Sequence, residues 1–259
     1  MSSIRLFFSK TWRVLFFING ALMFLPLYPL FKIMLSNEKW FPYAFKLKKV
    51  LARLILFNTG ICVKKLGATS LDRKQAYVFC PNHTSFLDIV VSYIVIPNYF
   101  HYIGKVELLK VPFFNIFFRK MNIVVDRGSI MASHRAFQRS CDDIDKSISI
   151  AIFPEATIPV STPELGNFKN GPFKLAIEKQ IPIVPITYLD NWRILPDGKT
   201  KFGRGGPGCS RVVIHEPIPT KGLTDDDMNA LKKKVYLTIR KCLEDYQVIQ
   251  AHKTATVNS

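Results

Sequence analysis

The first 65 residues combine long apolar runs with scattered positive charges. Residues 14–35 are rich in Phe, Leu and Met, and Lys32 is their only charged residue. A run of this length suits a bilayer span of about 20 residues, and no small-residue cleavage site follows it. We therefore expect it to be retained, either spanning the membrane or lying as one arm of a helical hairpin in one leaflet.

Residues 39–62 alternate aromatic and leucine side chains with basic ones. After Pro42 the pattern predicts an amphipathic helix, with basic side chains on anionic headgroups and apolar side chains in the acyl boundary. An ordinary helix docked on a catalytic core explains the same pattern. The domain boundaries predicted are membrane-binding helices over 1–62, a catalytic domain over 63–250 and a tail over 251–259.

From about residue 60 the chain changes to short apolar runs that alternate with helical periodicity, as in βα units. The predicted strands are 76–80, 99–103, 123–125, 148–153, 183–188 and 211–215, and the predicted helices are 85–95, 106–119, 129–147, 172–180 and 224–246. Together they predict an α/β fold, in which helices cover a mixed, largely parallel sheet, with the N-terminal membrane-associated hairpin appended.

The formal net charge of +17 calls for an anionic partner. Residues 1–65 hold eleven basic residues and a single acid, Glu38, so most of the charge lies beside apolar segments. This placement favours membrane lipids over nucleic acid. Five cysteines without a CxxC pair indicate reduced thiols and a cytoplasmic location, and no spacing completes a metal site.

The segment after the first predicted core strand carries the best candidates for chemistry. His83 and Asp88 would point about 140° apart on one continuous helix, so they meet only if His83 lies in the loop before the helix. There the imidazole could take a proton from a hydroxyl while the carboxylate orients it. A simple capping box of Ser85 and Asp88, with His83 a bystander, explains the spacing equally well.

Four segments in order decide between these interpretations. Residues 82–88 (Asn-His-Thr-Ser-Phe-Leu-Asp) resemble the NHxSxxD block of the glycerol-phosphate and lysophospholipid acyltransferases. Residues 104–114 with 123–127 resemble the second block of that family, 153–157 the third and 181–186 the fourth. The resemblance covers roughly residues 75–190 and is specific because four blocks follow in the family's order.

The resemblance implies that His83 and Asp88 are the catalytic pair and that no covalent enzyme intermediate forms. The sequence shows no complete metal-ligand cluster and no nucleotide-binding motif, so we expect catalysis without a bound cofactor. It also implies that Lys105 and Arg127 bind the acceptor's phosphate, as charge-assisted hydrogen bonds would favour. Glu155 and Thr157 of the third block are expected to bind or organise the acceptor. Residues 181–186 are expected to wall an acyl-chain or acceptor pocket while forming a core strand.

The third block departs from the family's Phe-Pro-Glu-Gly-Thr-Arg pattern, because this chain has Ala156 and Ile158. Alanine can replace the glycine unless the position requires a positive φ. The missing arginine weakens the inference that a phosphate binds there, and Lys169 and Lys174 are candidates for replacement charge.

The expected reaction moves a fatty acyl group from acyl carrier protein or acyl-CoA to the hydroxyl of a lysophospholipid. The most favoured acceptor is 1-acyl-sn-glycerol 3-phosphate, which would give phosphatidate at the cytoplasmic face of a membrane (the inner membrane if the source is bacterial). Alternatives are another acceptor such as an N-acyl amino acid lipid, a lipid hydrolase, or a non-catalytic membrane adaptor. A hydrolase is disfavoured because the sequence has no GxSxG motif.

Overall fold

The structure is a computed structural model and describes residues 3–67, 69–126, 128–197 and 205–257. The N-terminal apolar run forms helix α1 (Ser3–Phe24), a 3-10 turn (Leu25–Leu27) and helix α2 (Tyr28–Met34). The break follows from the sequence, because Pro26 and Pro29 each remove a backbone donor. In the described chain, one helical stretch, Phe7–Met34, is long and apolar enough to cross a membrane, with a mean hydropathy of 1.9.

Helix α3 (Phe41–Asn58) begins with Pro42 in its first turn, where the missing N–H costs nothing. It packs against α1, α4 and the first strand. One face contributes to the main hydrophobic core through eight buried residues: Phe41, Ala44, Phe45, Lys48, Leu51, Ala52, Ile55 and Leu56. The opposite face exposes apolar side chains: Tyr43, Val50, Leu54 and Phe57. This packing is that of a helix docked on the core.

Seven strands form one sheet in the order β1-β7-β6-β2-β5-β3-β4. They are β1 (Ile61–Leu66), β2 (Val78–Pro81), β3 (Phe100–Lys105), β4 (Ile123–Val125), β5 (Ser149–Ala151), β6 (Ile183–Tyr188) and β7 (Gly208–Ile214). Every neighbouring pair is parallel except β6 and β7. The predicted mixed, largely parallel α/β sheet is thereby confirmed.

Six more helices cover the sheet: α4 (Leu87–Val95), α5 (Asn115–Lys120), α6 (Ile130–Asp145), α7 (Gly171–Glu178), α8 (Asn191–Ile194) and α9 (Met228–Val257). Alternate residues of the central strands point to opposite faces. In β2, Phe79 belongs to the core under α3 and α4, whereas Val78 and Cys80 belong to the core under α6, α7 and α9. Helices therefore bury both faces.

The structure differs from the sequence-based prediction at three elements. The helix expected over 106–119 is a 3-10 helix (Val106–Lys110) followed by α5, because Pro112 and the positive φ of Phe113 interrupt it. Strand β1 was not predicted, since Lys64 and Lys65 mask its pattern at the edge of the sheet. Helix α9 continues past Tyr246 to Val257, where the sequence holds no glycine or proline to stop it.

The cysteines are also less scattered than their spacing suggests. All five are free thiols, but Cys62 on β1 lies directly opposite Cys209 on β7. Strand pairing brings together two residues that are far apart in the chain.

Candidate active site

The predicted site residues follow strands that end at the same edge of the sheet. Strands β2, β3, β4, β5 and β6 run parallel, so their carboxyl ends form one edge. His83 follows β2, Glu155 follows β5 and Lys105 ends β3. Arg127 lies outside the described residues.

His83 and Asp88 meet as a hydrogen-bonded pair. His83 lies in the loop between β2 and α4, and Asp88 lies in the first turn of α4. Their Nδ1 and Oδ2 atoms are 3.0 Å apart. Because a carboxylate only accepts, Nδ1 carries the hydrogen and the lone pair of Nε2 is left as the proton acceptor. The His83 side chain is 13% exposed, whereas that of Asp88 is fully buried.

Asp88 is held by four other donors besides His83. The backbone N–H groups of Thr84 and Ser85 donate to Oδ2, at 2.6 and 2.9 Å. The Thr84 hydroxyl and the Asn191 side-chain amide donate to Oδ1, at 3.2 and 2.8 Å. Five hydrogen bonds satisfy a buried carboxylate that would otherwise be costly. The carboxylate therefore fixes both the loop and the imidazole.

The Ser85 hydroxyl is not available as a nucleophile. It is fully buried and donates to the carbonyl oxygen of Leu195, at 2.5 Å, while accepting from the backbone N–H of Leu87. Ser85 therefore caps the start of α4 and anchors it to the segment after α8. The Ser85 hydroxyl therefore does not bond to His83 as a nucleophile would. The bond between His83 and Asp88 also shows that His83 is more than a neighbour of a capping box.

Asn82 fixes the start of the catalytic loop against the neighbouring strand. Its amide donates to the carbonyl oxygen of Tyr188 at 3.2 Å, and its side-chain oxygen accepts from the Tyr188 backbone N–H at 2.7 Å. This two-way bond replaces a step of the β2–β6 ladder where the strands separate. The residue before His83 is consequently immobile.

Glu155 ties the third block to the catalytic loop. Its carboxylate accepts from the backbone N–H of His83 at 2.8 Å and from that of Gly166 at 2.6 Å. Burial raises the pKa of Glu155 to about 7, the nearby Asp88 charge adds to the rise, and the two N–H donors oppose it. Glu155 thus organises the backbone of the site rather than pointing into solvent.

Ala156 occupies a position that requires a positive φ. Its φ is 69°, which an L residue with a Cβ adopts only with strain. The sequence left open whether alanine could replace the family's glycine without cost, and this conformation shows that it cannot. The turn is closed by a hydrogen bond from the Ala156 N–H to the carbonyl oxygen of Phe153 at 3.0 Å.

An aromatic ring links the imidazole to an apolar cavity. The rings of His83 and Phe153 stack with centroids 3.9 Å apart. Phe153 also lines a cavity of about 470 Å³, whose other walls come from α6, α7 and the ends of β3, β4 and β5: Ile103, Val125, Ala136, Phe137, Ile152 and Leu175 among them. The cavity is large enough to hold part of an apolar ligand.

The other predicted residues fall in different places. Lys105 and Thr157 are exposed at the carboxyl edge. Lys169 lies on the wall of the cavity, whereas the ammonium of Lys174 sits 5.6 Å above the ring of Phe137. Residues 183–186 are buried core in β6, as expected for a core strand, and none of them lines this cavity; that they wall an acyl-chain or acceptor pocket stays a prediction.

Two residues that sequence analysis missed complete the hydrogen-bond network. Asn191 at the start of α8 donates to Asp88, and its side-chain oxygen accepts from the hydroxyl of Ser210 at 2.6 Å. Both side chains are fully buried. They lie more than 100 residues after Asp88, so no spacing in the sequence connects them to it. Asn191 also lies five residues beyond the fourth block, so that block does not mark it either.

Comparisons with known proteins agree with this geometry. Residues 62–189 match the family model described as Acyltransferase. The chain is 31% identical over 180 residues to the 1-acyl-sn-glycerol-3-phosphate acyltransferase of Saccharomyces cerevisiae, covering 68% of this chain and 58% of that protein. It is 30% identical over 192 residues to 1-acyl-sn-glycerol-3-phosphate acyltransferase alpha of Mus musculus, covering 72% of this chain and 66% of that protein.

A solved structure shares the fold. The crystal structure of the 1-acyl-sn-glycerophosphate (LPA) acyltransferase from Thermotoga maritima aligns with a TM-score of 0.74 at 19% identity. The alignment covers 92% of this chain and 98% of that one.

Proposed function

This chain belongs to the acyltransferase family, and from that premise we propose that it transfers a fatty acyl group from acyl carrier protein or acyl-CoA to the hydroxyl of a lysophospholipid. The favoured acceptor is 1-acyl-sn-glycerol 3-phosphate, giving phosphatidate. The observation that carries the proposal is the His83–Asp88 pair, in which a buried carboxylate orients an imidazole that stays open on its other nitrogen.

In the proposed reaction, Nε2 of His83 takes the proton of the acceptor hydroxyl as its oxygen attacks the thioester carbonyl. The buried Asp88 stabilises the imidazolium that forms. When the tetrahedral intermediate collapses, the carbon–sulfur bond breaks and the proton passes from His83 to the departing thiolate. The products are an ester and a free thiol, and no covalent enzyme intermediate is needed.

The remaining site residues have proposed roles as well. Lys105 and Arg127 would bind the acceptor's phosphate, and the exposure of Lys105 at the carboxyl edge supports its part. Glu155 and Thr157 would organise the acceptor side of the site. The apolar cavity beside Phe153 would take acyl-chain carbons, because its walls are mostly hydrocarbon.

The protein would work at the cytoplasmic face of a membrane. The stretch Phe7–Met34 offers lipid an apolar surface, since only 11% of its most apolar window is buried. Basic residues beside that stretch suit anionic headgroups. The five free thiols suit a reducing compartment.

The test is an acceptor panel with purified protein. Labelled acyl-CoA or acylated carrier protein would be incubated with 1-acylglycerol 3-phosphate, another lysophospholipid or an N-acyl amino acid lipid. We expect ester formation with 1-acylglycerol 3-phosphate, loss of it in His83→Ala, and retention of it in His134→Ala, an exposed histidine on α6.

Each alternative predicts a different result. Product from 1-acylglycerol 3-phosphate at background level, with another acceptor active, would reassign the substrate; the altered Ala156 and Ile158 make this the first alternative to examine. Release of free fatty acid without acceptor would indicate a hydrolase, against which the buried Ser85 hydroxyl argues. Transfer at background level with every acceptor, in wild type and in His83→Ala alike, would indicate a non-catalytic adaptor. Equal rates above background would remove His83 from the reaction.

A further inference from the structure

The carboxyl edge of the sheet carries large apolar side chains that point into solvent. Ile130 and Met131, just after β4, are 91% and 71% exposed, and Val160, after β5, is 77% exposed. Phe86 follows β2 and Phe113 follows β3, and both are also exposed. These residues come from the connections that follow β2, β3, β4 and β5 at the edge where His83 lies.

Helix α1 and the segment after it lie along this same edge. The Trp12 indole N–H donates to the carbonyl oxygen of Ile194, after β6, at 3.0 Å. The rings of Phe17 and Phe86 are 5.9 Å apart, and those of Tyr28 and Phe113 are 5.3 Å apart. The outer face of α1 is apolar and exposed: Phe7, Phe8, Val14, Leu15, Ile18 and Leu22. The apolar surface of α1 is therefore continuous with the loops after β2 and β3.

A lipid surface fits this face better than a protein partner. Soluble monomers rarely expose contiguous apolar patches of this extent. The patch continues a helix that passes the length and hydropathy test for a membrane segment. Exposed basic residues lie at the end of β3 and in the connection after it: Lys105, Lys110, Arg119 and Lys120. Apolar side chains rimmed by such cations match an acyl boundary beneath anionic headgroups.

Phe113 has a backbone that its side chain disfavours. Its φ is 61°, in the left-handed region that aromatic residues rarely occupy, and its ring is half exposed. A strained conformation that keeps an apolar ring outward needs a compensating contact. The contact with Tyr28 supplies part of it, and lipid would supply the remainder.

We propose that Ile130, Met131 and Val160 form a second membrane contact, separate from α1, that presses the catalytic edge onto the bilayer. This proposal rests on the proposed function. Helix α1 and the segment after it contact the loops after β2 and β3, whereas these three residues lie in the connections after β4 and β5. Docking through both would let the acceptor's hydroxyl reach the imidazole while its acyl chain stays in the bilayer. A membrane anchor through α1 alone would leave the orientation of the site free.

Insertion can be measured without any enzyme assay. Ile130→Trp and Val160→Trp would be made in the full chain and bound to phosphatidylglycerol-containing vesicles with brominated acyl chains, which quench nearby indoles. The control is Leu237→Trp, an exposed apolar position on α9. We expect more quenching at 130 and 160 than at 237, beyond the signal of the native tryptophans. Equal quenching at all three positions would overturn the proposal.

The catalytic consequence is tested with Met131→Glu and Val160→Glu, against Leu237→Glu. With acceptor in vesicles, we expect the two loop variants to lose about tenfold in rate, since a carboxylate in place of an inserted apolar side chain opposes docking. With a short-chain acceptor dissolved below its micelle concentration, their rates should match wild type. Loss with both acceptors, or with neither, would contradict the proposal. If wild type transfers no acyl group at all, the proposed function fails, and the quenching result still decides the surface.

Discussion

The carboxylate of Asp88 shows how single residues define the site. It is fully buried, yet it accepts five hydrogen bonds, of which two come from the backbone of its own loop. The hydrogen bonds that satisfy the charge of this carboxylate also fix the loop that carries His83. The resemblance to the family gave this pair, and four of the five donors to Asp88 lie within residues 82–88, whereas Asn191 lies outside them.

Glu155 gives the site a pH-dependent stability. Burial raises its pKa from 4.5 to about 7, so the unfolded chain loses this proton before the folded protein does. The stability from this group is present below pH 4.5 and is lost as the pH rises to 7. We expect the free energy of unfolding of wild type to fall over that range by up to about 3 kcal/mol more than that of Glu155→Gln.

Denaturant unfolding at several pH values measures this difference. Glu164→Gln, at an exposed position in the same loop, should leave the slope of wild type unchanged. Parallel pH profiles for wild type and Glu155→Gln would show that Glu155 keeps an ordinary pKa.

At position 156 the residue type conflicts with the backbone conformation, because alanine occupies a position with a positive φ. Ala156→Gly should raise the free energy of unfolding by about 0.5–1 kcal/mol, because the relief of left-handed strain outweighs the extra freedom of the unfolded chain. Thermal unfolding would measure it. Ala132→Gly, inside α6, should instead lower stability, since glycine weakens a helix interior. A loss of stability in both variants would mean that position 156 is unstrained.

At the scale of elements, α3 combines a core face with an unusual buried charge. Lys48 is 6% exposed, and its ammonium lies 5.2 and 4.7 Å from the ring centres of Tyr93 and Phe117. These rings favour the charged form, but desolvation outweighs them and lowers the pKa of Lys48 to about 7. The helix therefore docks at a cost that depends on pH.

Lys48→Met should stabilise the protein. Burying Lys48 causes no loss of stability above pH 10.5. The loss grows as the pH falls and reaches its full size below pH 7. We expect Lys48→Met to raise the free energy of unfolding by a few kcal/mol at pH 6, because each unit by which the pKa is lowered corresponds to about 1.4 kcal/mol. At pH 10 the increase should be smaller. Lys39→Met, at an exposed position, should change little at either pH. A destabilised Lys48→Met at pH 6 would contradict this account.

Helix and strand boundaries show which local signals suffice. The capping box of Thr224 and Asp227 was readable in the sequence and is present before α9. The interruption at Phe113 was only partly readable, because Pro112 marks a break but not the positive φ that follows it. Strand β1 was hidden, since edge strands with exposed lysines lack an apolar pattern, and its partner residues on β7 lie 147 positions later, as in Ile61 and Gly208.

At the scale of the whole molecule, the fold closes the network around Asp88 with residues from two distant segments. Asn191 enters from the connection after β6, and Ser210 enters from β7. Removing Asn191 would leave Oδ1 of Asp88 with the Thr84 hydroxyl alone, and the Ser210 hydroxyl without its acceptor. Asn191 is thus a positioning residue that acts through Asp88 on His83.

Asn191→Ala should lower the free energy of unfolding by about 1–3 kcal/mol, because buried polar groups lose their partners. We also expect kcat for acyl transfer to fall while KM changes little, since Asn191 is fully buried and bonds to Asp88. Asn98→Ala is the matched control, because Asn98 is equally buried but bonds to Asp72 and Gln75 away from the site. It should lose stability and keep kcat. Equal kcat in the two variants would remove Asn191 from the catalytic network.

The sequence by itself determined the fold class, the apolar N-terminal stretch and the His83–Asp88 pair, because hydrophobic periodicity and short motifs are local properties of the chain. The tertiary structure alone decided that Asn191 and Ser210 support Asp88, that Ala156 is strained, and that the N-terminal helices pack against the segments after β2, β3 and β6. The physical reason is that parallel strand order and helix packing place residues 100 or more positions apart within hydrogen-bond distance, and no spacing along the chain records that.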